Sequence, residues 1–149
     1  SVLVVTGLVV SASYGHVDPE FKKVVDLGGN DITSMFEFPH APKNSYSINA
    51  DYTSPETPIG TVQVNVNYLW QDKFFGVTSQ PNLIADSYGL VNARVGLLDA
   101  GGIEGLELAI WGKNLADKEY LATHFAFGSV PVGIFGDPRS YGLDASYRF

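Results

Sequence analysis

Residues 141–149 alternate with a period of two. Tyr141, Leu143, Ala145, Tyr147 and Phe149 occupy the odd positions, and Gly142, Asp144, Ser146 and Arg148 the even ones. In a strand this places an apolar, aromatic row on one face and a polar row on the other. Taken from Arg139, the segment has about the 9–11 residues that a tilted strand needs to cross a bilayer. Residues 61–73 repeat the theme, with Val62, Val64, Val66, Tyr68 and Trp70 facing one way. Gln63, Asn65, Asn67, Gln71 and Lys73 face the other, and Leu69 is a misfit among them. Residues 8–15, 46–52 and 91–97 alternate in the same manner. A sixth strand, residues 106–114, sets Leu106, Leu108 and Ile110 against Glu107, Ala109 and Lys113, with Trp111 on the polar side.

The connections differ in length. Residues 53–60 and 99–105 are short and rich in Gly, Pro or Ser, as turns are. Residues 17–45, 74–88 and 120–138 are longer or less regular. Short turns at one end and long loops at the other is the layout of outer-membrane barrels, which places Phe149 at the periplasmic end. No helix of useful length is expected, beyond a turn or two within residues 18–25. The polar rows consist of Ser, Asn, Gln and Gly with few charges, which suits a watery or plugged lumen. Tyr14, Tyr46, Tyr52, Tyr68, Trp70, Tyr141 and Tyr147 gather near strand ends, as interfacial girdles do. The expected fold is therefore all-β: a transmembrane antiparallel meander of about six strands.

Composition narrows the alternatives. Charged residues make up 17% of the chain and hydrophobic ones 45%, so charge falls below the usual quarter of soluble domains. A net charge of −7 with 9 scattered basic residues speaks against nucleic acid, whose phosphates demand clustered Lys and Arg. The chain has no cysteine, which removes disulfide scaffolds and thiolate metal sites. Residues 1–10 are apolar but lack the basic region and cleavage site of a signal peptide. No run of 18 apolar residues marks a transmembrane helix.

Two segments carry a resemblance. Gly112-Lys113-Asn114-Leu115-Ala116-Asp117-Lys118-Glu119-Tyr120 is similar to a penultimate-strand pattern of TonB-dependent outer-membrane receptors. Gly136-Asp137-Pro138-Arg139-Ser140-Tyr141-Gly142, followed by Tyr147-Arg148-Phe149, resembles the terminal pattern of the same family. Ala12-Ser13-Tyr14-Gly15 with Asp18, and Ala41-Pro42-Lys43-Asn44-Ser45, resemble preceding strands more loosely. The resemblance implies that residues 1–149 are the C-terminal, unclosed part of a roughly 22-stranded barrel. The plug domain and the box that contacts TonB are expected to lie in an N-terminal part absent from this sequence. It further implies active uptake of a scarce extracellular ligand, such as a ferric siderophore, across the outer membrane of a Gram-negative bacterium. The partners implied are outer-membrane lipid, the remaining barrel and plug, TonB, and the barrel-assembly machinery.

Candidate sites follow from both readings. Tyr141, Leu143, Ala145, Tyr147 and Phe149 resemble the assembly signal of such barrels. A free edge strand with an apolar face is open to capture by strand addition, and aromatics also anchor a strand at the interface. Asn114, Leu115, Asp117 and Tyr120 are read as the exit of a strand, with Asn and Asp bonding to local backbone. His16, His40 and His124 fit no zinc spacing. Arg94, Glu107, Lys113, Asp144 and Arg148 are expected to point into the lumen as ion pairs or plug contacts. The apolar run Phe125, Phe127, Val130, Val132, Ile134 and Phe135 is expected to pack inward over the lumen. No enzyme is indicated: paired carboxylates and a Gly-x-Ser-x-Gly elbow are absent, and Gly101 and Gly102 precede no helix that would cradle phosphate. No cofactor or metal is expected. A passive porin-like channel and a soluble β-sandwich are the alternatives. The sandwich requires the apolar rows to stack face to face.

Overall fold

The computed structural model describes residues 2–78, 84–128 and 130–149, with the side chains of 2–5 left aside. Ser1, residues 79–83 of the second long loop and residue 129 of the third lie outside the described residues. The described residues form these strands: β1 (Val2–Val5), β2 (Leu8–His16), β3 (Asn44–Thr53), β4 (Thr61–Gln71), β5 (Phe74–Phe75) and β6 (Ile84–Ala85). They continue as β7 (Tyr88–Leu98), β8 (Leu106–Lys113), β9 (Leu121–Phe127), β10 (Val130–Phe135) and β11 (Ser140–Tyr147). Seven of them form one antiparallel sheet in the order β1-β2-β3-β4-β7-β8-β11. The six expected strands are all in it. The seventh, β1, pairs with β2 and was hidden in an apolar start that shows no alternation.

The register carries the apolar rows across the sheet without a break. Val10 pairs with Ala50, Ala50 with Val66, Val66 with Ala93, Ala93 with Gly112 and Gly112 with Tyr141. The next row joins Tyr52, Val64, Val95, Ile110 and Leu143. A one-residue slip would exchange the two faces of a strand, so each strand's own pattern fixes this alignment. Val10 lies near the short-turn end of β2, whereas Tyr141 in the same row lies near the long-loop end of β11. Such stagger is the shear that strands acquire when a sheet curls into a barrel.

The two misfits resolve within that register. Leu69 pairs directly with Leu90 on the polar side, so each apolar side chain meets the other. Trp111 lies beside Gly142, where a Cβ would crowd the indole ring, and its Nε1–H donates to Asp144 Oδ1 at 3.2 Å. The indole belongs to the polar face because it has a glycine to lie on and an acceptor for its N–H.

The long loops depart from expectation. No helical turn forms over 18–25; instead Val24 N–H donates to Thr33 Oγ1, and Val25 bridges Asp31. The backbone bonds a helix needs are taken laterally, and a 3-10 turn forms at Thr33–Met35. The third loop carries an antiparallel pair, β9 and β10, whose register shifts between Ile134 and Phe135, and β5 pairs with β6 in the second.

Among the described residues the buried apolar ones are few: Phe74, Ala85, Ala100 and Ala109. Among the described residues no second layer covers the main sheet, and Ile48, Val66, Val95, Leu108, Ile110, Tyr141 and Leu143 are exposed. The stacked apolar rows of a sandwich are not found among the described residues. Within the described residues β1 pairs only with β2, and β11 only with β8, which leaves two open edges.

Candidate functional site

The terminal strand presents its predicted set as a continuous outer row. Tyr141 and Leu143 are 80% and 81% exposed, and Ala145 pairs with Leu108 in the next row. Tyr147 meets Phe149 edge-on, with ring centroids 5.2 Å apart. Phe149 itself lies beyond the last strand residue, while Arg148 N–H still donates to Gly105 C=O at 3.0 Å. The structure brings all five residues to one margin of the sheet, where the edge of β11 away from β8 has no strand partner among the described residues.

At the long-loop end of the same face, Tyr14, Tyr46 and Trp70 occupy one row. The Tyr46 and Trp70 rings stack at 5.2 Å, and Tyr14 Oη–H donates to Asn44 Oδ1 at 2.7 Å. An amphipathic ring with its hydroxyl turned to a polar partner is what a membrane–water boundary favours.

The polar face holds a hydrogen-bonded ladder rather than a pocket. Ser13 and Ser47 hydroxyls meet at 2.9 Å, and Asn65 Nδ2 donates to Asn49 Oδ1 at 3.0 Å and to Asp51 Oδ1 at 2.6 Å. Of the five charges expected here, Arg94 and Glu107 form an ion pair at 2.5 Å. Asp144 accepts from Trp111, and Lys113 Nζ stands 5.7 Å from the centre of the Trp111 ring. Arg148 joins none of these contacts and falls outside β11. Among the described residues no group of three or more His, Asp or Glu converges as a metal site would require.

The three long loops pack into one platform. Phe21 stacks on Phe38 at 4.3 Å and meets Phe36 edge-on at 6.0 Å. Glu37 N–H donates to Thr78 C=O and His40 N–H to Phe75 C=O, which ties the first loop to the second. Phe74 then lies between His40, at 5.5 Å, and the buried His124 of β9, at 5.6 Å. Two of the three histidines therefore serve as packing rings. His16 instead shares Asn44 Oδ1 with Tyr14, at 2.9 Å. Lys43 bonds to Asp18 at 2.7 Å; this contact holds the Asp18 carboxyl below its ordinary range and raises the Lys43 ammonium.

The two segments that carry the family resemblance meet as opposite legs of one neck between β8–β11 and the β9–β10 hairpin. Asn114, 3% exposed, adopts a left-handed backbone at φ 47°. Its side chain accepts from Lys118 N–H at 2.9 Å and donates to Lys118 C=O at 2.9 Å and Asp137 C=O at 3.1 Å. Its own N–H donates to Asn92 Oδ1 on β7 at 3.0 Å. Asp117 pairs with Arg139 at 3.3 Å across the same neck. The Tyr120 ring lies 4.2 Å from that of Tyr88 and against Gly136, where any Cβ would overlap it. The local backbone bonding read from sequence holds for Asn114 with Lys118, whereas Asp117 turns to Arg139, 22 residues on. The spacing could not reveal that residues 114–120 and 136–139 fasten each other.

The hairpin corrects the expectation for its apolar run. Through Tyr120 and His124 it leans onto the second loop. Phe125, Phe127, Val130, Ile134 and Phe135 remain exposed rather than packed inward. Alternation is again the reason, because His124 and Phe125 point to opposite sides of β9.

No protein-family model matches the chain, and no curated protein sequence does. Solved structures do match. The ferric yersiniabactin uptake receptor FyuA from Yersinia pestis aligns with 98% of this chain at a TM-score of 0.78 and 16% identity, over 22% of its own length. The ferric-catecholate import receptor Fiu from E. coli K12 aligns with 98% at 0.72 and 18% identity, over 19% of its length. The ferric citrate transporter FecA aligns with 96% at 0.71 and 22% identity, over 21% of its length. The chain spans about a fifth of the length of each. An unclosed antiparallel meander with unpartnered apolar rows, matched over nearly its whole length by receptors of this kind, has the fold of a segment of TonB-dependent receptor barrel wall.

Proposed function

We propose that the chain is the C-terminal stretch of the barrel wall of an outer-membrane receptor that takes up a scarce ligand, such as a ferric siderophore, with energy supplied through TonB. The observation that carries the reading is the set of apolar rows running unbroken across β2, β3, β4, β7, β8 and β11 with no protein layer against them. Rows of that extent demand an apolar neighbour, and for a single sheet whose two edges are continued by further strands of a closed barrel that neighbour is hydrocarbon. The matched structures are receptors and a transporter for ferric complexes, which favours transport over catalysis and an iron complex as the cargo class.

In this reading the polar ladder from Ser13 to Arg94 lines the lumen, and the platform of long loops faces outward. The two open edges join the rest of the barrel. β11, with Tyr141, Leu143, Ala145, Tyr147 and Phe149, is the strand that the assembly machinery captures by strand addition. Mechanistically, the wall supplies no chemical step. It excludes lipid from the lumen, holds the loops at the mouth, and gives the moving plug a fixed, hydrogen-bonded surface to slide against.

The test is uptake of radiolabelled ferric complexes by iron-starved cells carrying the full-length protein, with and without TonB. Saturable uptake that disappears without TonB supports the proposal. Uptake that is linear in ligand and indifferent to TonB would establish a passive channel instead.

A further inference from the structure

Among the described residues the chain joins the β9–β10 hairpin to the wall through residues 114–120 and 136–139, and beside the Asp117–Arg139 pair the buried amide of Asn114 bonds to the backbone of both legs. The geometry points to Asn114 as the positioning residue that fixes this hairpin over the loop platform, and hence sets how well the mouth receives its ligand. The consequence for uptake rests on the reading given above; the positioning itself does not.

Three observations lead there. The Asn114 amide is buried and satisfied on both sides, gripping Lys118 on one leg and Asp137 on the other. Its backbone is held from below by Asn92, a polar-face residue of β7 that also meets Asn67 of β4. The grip therefore refers the hairpin to the lumen-facing row rather than to the lipid-facing one. Above the grip, Tyr120 rests on Tyr88, which shares a polar-face row with Gln71, and His124 rests on Phe74. Leu115, by contrast, lies over Gly112 on the apolar side. Between Leu115 and Tyr120 the chain crosses from the lipid side of the wall to the lumen side, and Asn114 stands at the start of that crossing.

A strand-end cap alone does not need this chemistry. A left-handed residue is supplied as well by glycine, whereas joining two legs needs an amide that both accepts and donates. Asn114→Gly keeps the backbone and removes the grip. Asn114→Asp keeps the shape but turns a carboxylate oxygen toward the Lys118 and Asp137 carbonyls, which offer it no proton.

The experiment is hydrogen exchange on the full-length receptor, wild type against Asn114→Gly and Asn114→Asp, with saturation curves for ferric-complex uptake alongside. Both variants are expected to lose protection in residues 121–127 and 130–135 while β7, β8 and β11 stay protected. If the hairpin then holds its competent pose about a tenth of the time, the half-saturating concentration rises about tenfold, more than the maximal rate falls. Wild-type protection of the hairpin in Asn114→Gly would overturn the assignment. So would equal loosening of β8 and β11, since that is the signature of a simple strand cap. A wild-type receptor that takes up no ferric complex would refute the uptake reading, while the exchange comparison would still decide the positioning.

Discussion

Single side chains decide where strands stop and which face each presents. Trp111 is the clearest instance, since an indole on a polar row is tolerated only because Gly142 leaves room and Asp144 accepts its N–H. Gly142→Val should therefore crowd the ring and cost about 1–3 kcal/mol of folding stability, read as a lower urea midpoint for the receptor in bilayers. The Asp18–Lys43 pair makes a pH prediction. The Asp18 carboxyl is lowered by its bond to Lys43, so its contribution is complete above the unfolded carboxylate value and vanishes as pH falls through the lowered one. Lys43 is raised by the same bond, so its contribution is complete below the unfolded ammonium value and is lost as pH climbs through the raised one. The protection factor of the Val17 amide, which donates to Lys43 C=O, should fall for the wild type as pH drops through the lowered Asp18 value. Asp18→Asn should flatten that dependence. Asn114 and Asp117 were legible from sequence as turn formers. Their partner leg, and the stacking of His40 and His124 on Phe74, were not, because loop contacts between distant segments leave no periodic trace.

Strands were the most legible elements, for a physical reason. A strand with different media on its two faces must alternate, so residues 61–73 and 139–149 announced β4 and β11 within a few residues of their ends. β1 escaped because Val2–Val5 does not alternate, and β9–β10 escaped because its Phe and Val run reads as an apolar loop until paired. At this scale the lipid-facing reading is sharp. Leu143 sits mid-strand on β11 in the row with Ile110 and Val95. Leu143→Arg should destabilise the barrel by about 2–4 kcal/mol, whereas near the interface the same change approaches about 0–1 kcal/mol. Heat-modifiable mobility after urea titration in phospholipid vesicles would measure it. Truncating the outer row at Phe149→Ala should leave equilibrium stability nearly unchanged and lower the assembled fraction in cells; unchanged assembly would remove Phe149 from the recognition signal.

For the whole molecule, the described residues form one sheet with two unpaired edges and almost no interior, and in the proposed reading its stability comes from a membrane and from further strands. That is why a 45% hydrophobic sequence yields only four buried apolar residues among those described. The account stands on what lies against the apolar rows. A nitroxide scan along β4 of the full-length protein in lipid vesicles, from Thr61 to Gln71, tests it most directly. Oxygen collisions should peak at positions 62, 64, 66, 68 and 70, with a water-soluble nickel chelate favouring the positions between them. Uniformly low accessibility to both probes at the even positions would place a protein layer over those rows and contradict the barrel-wall account.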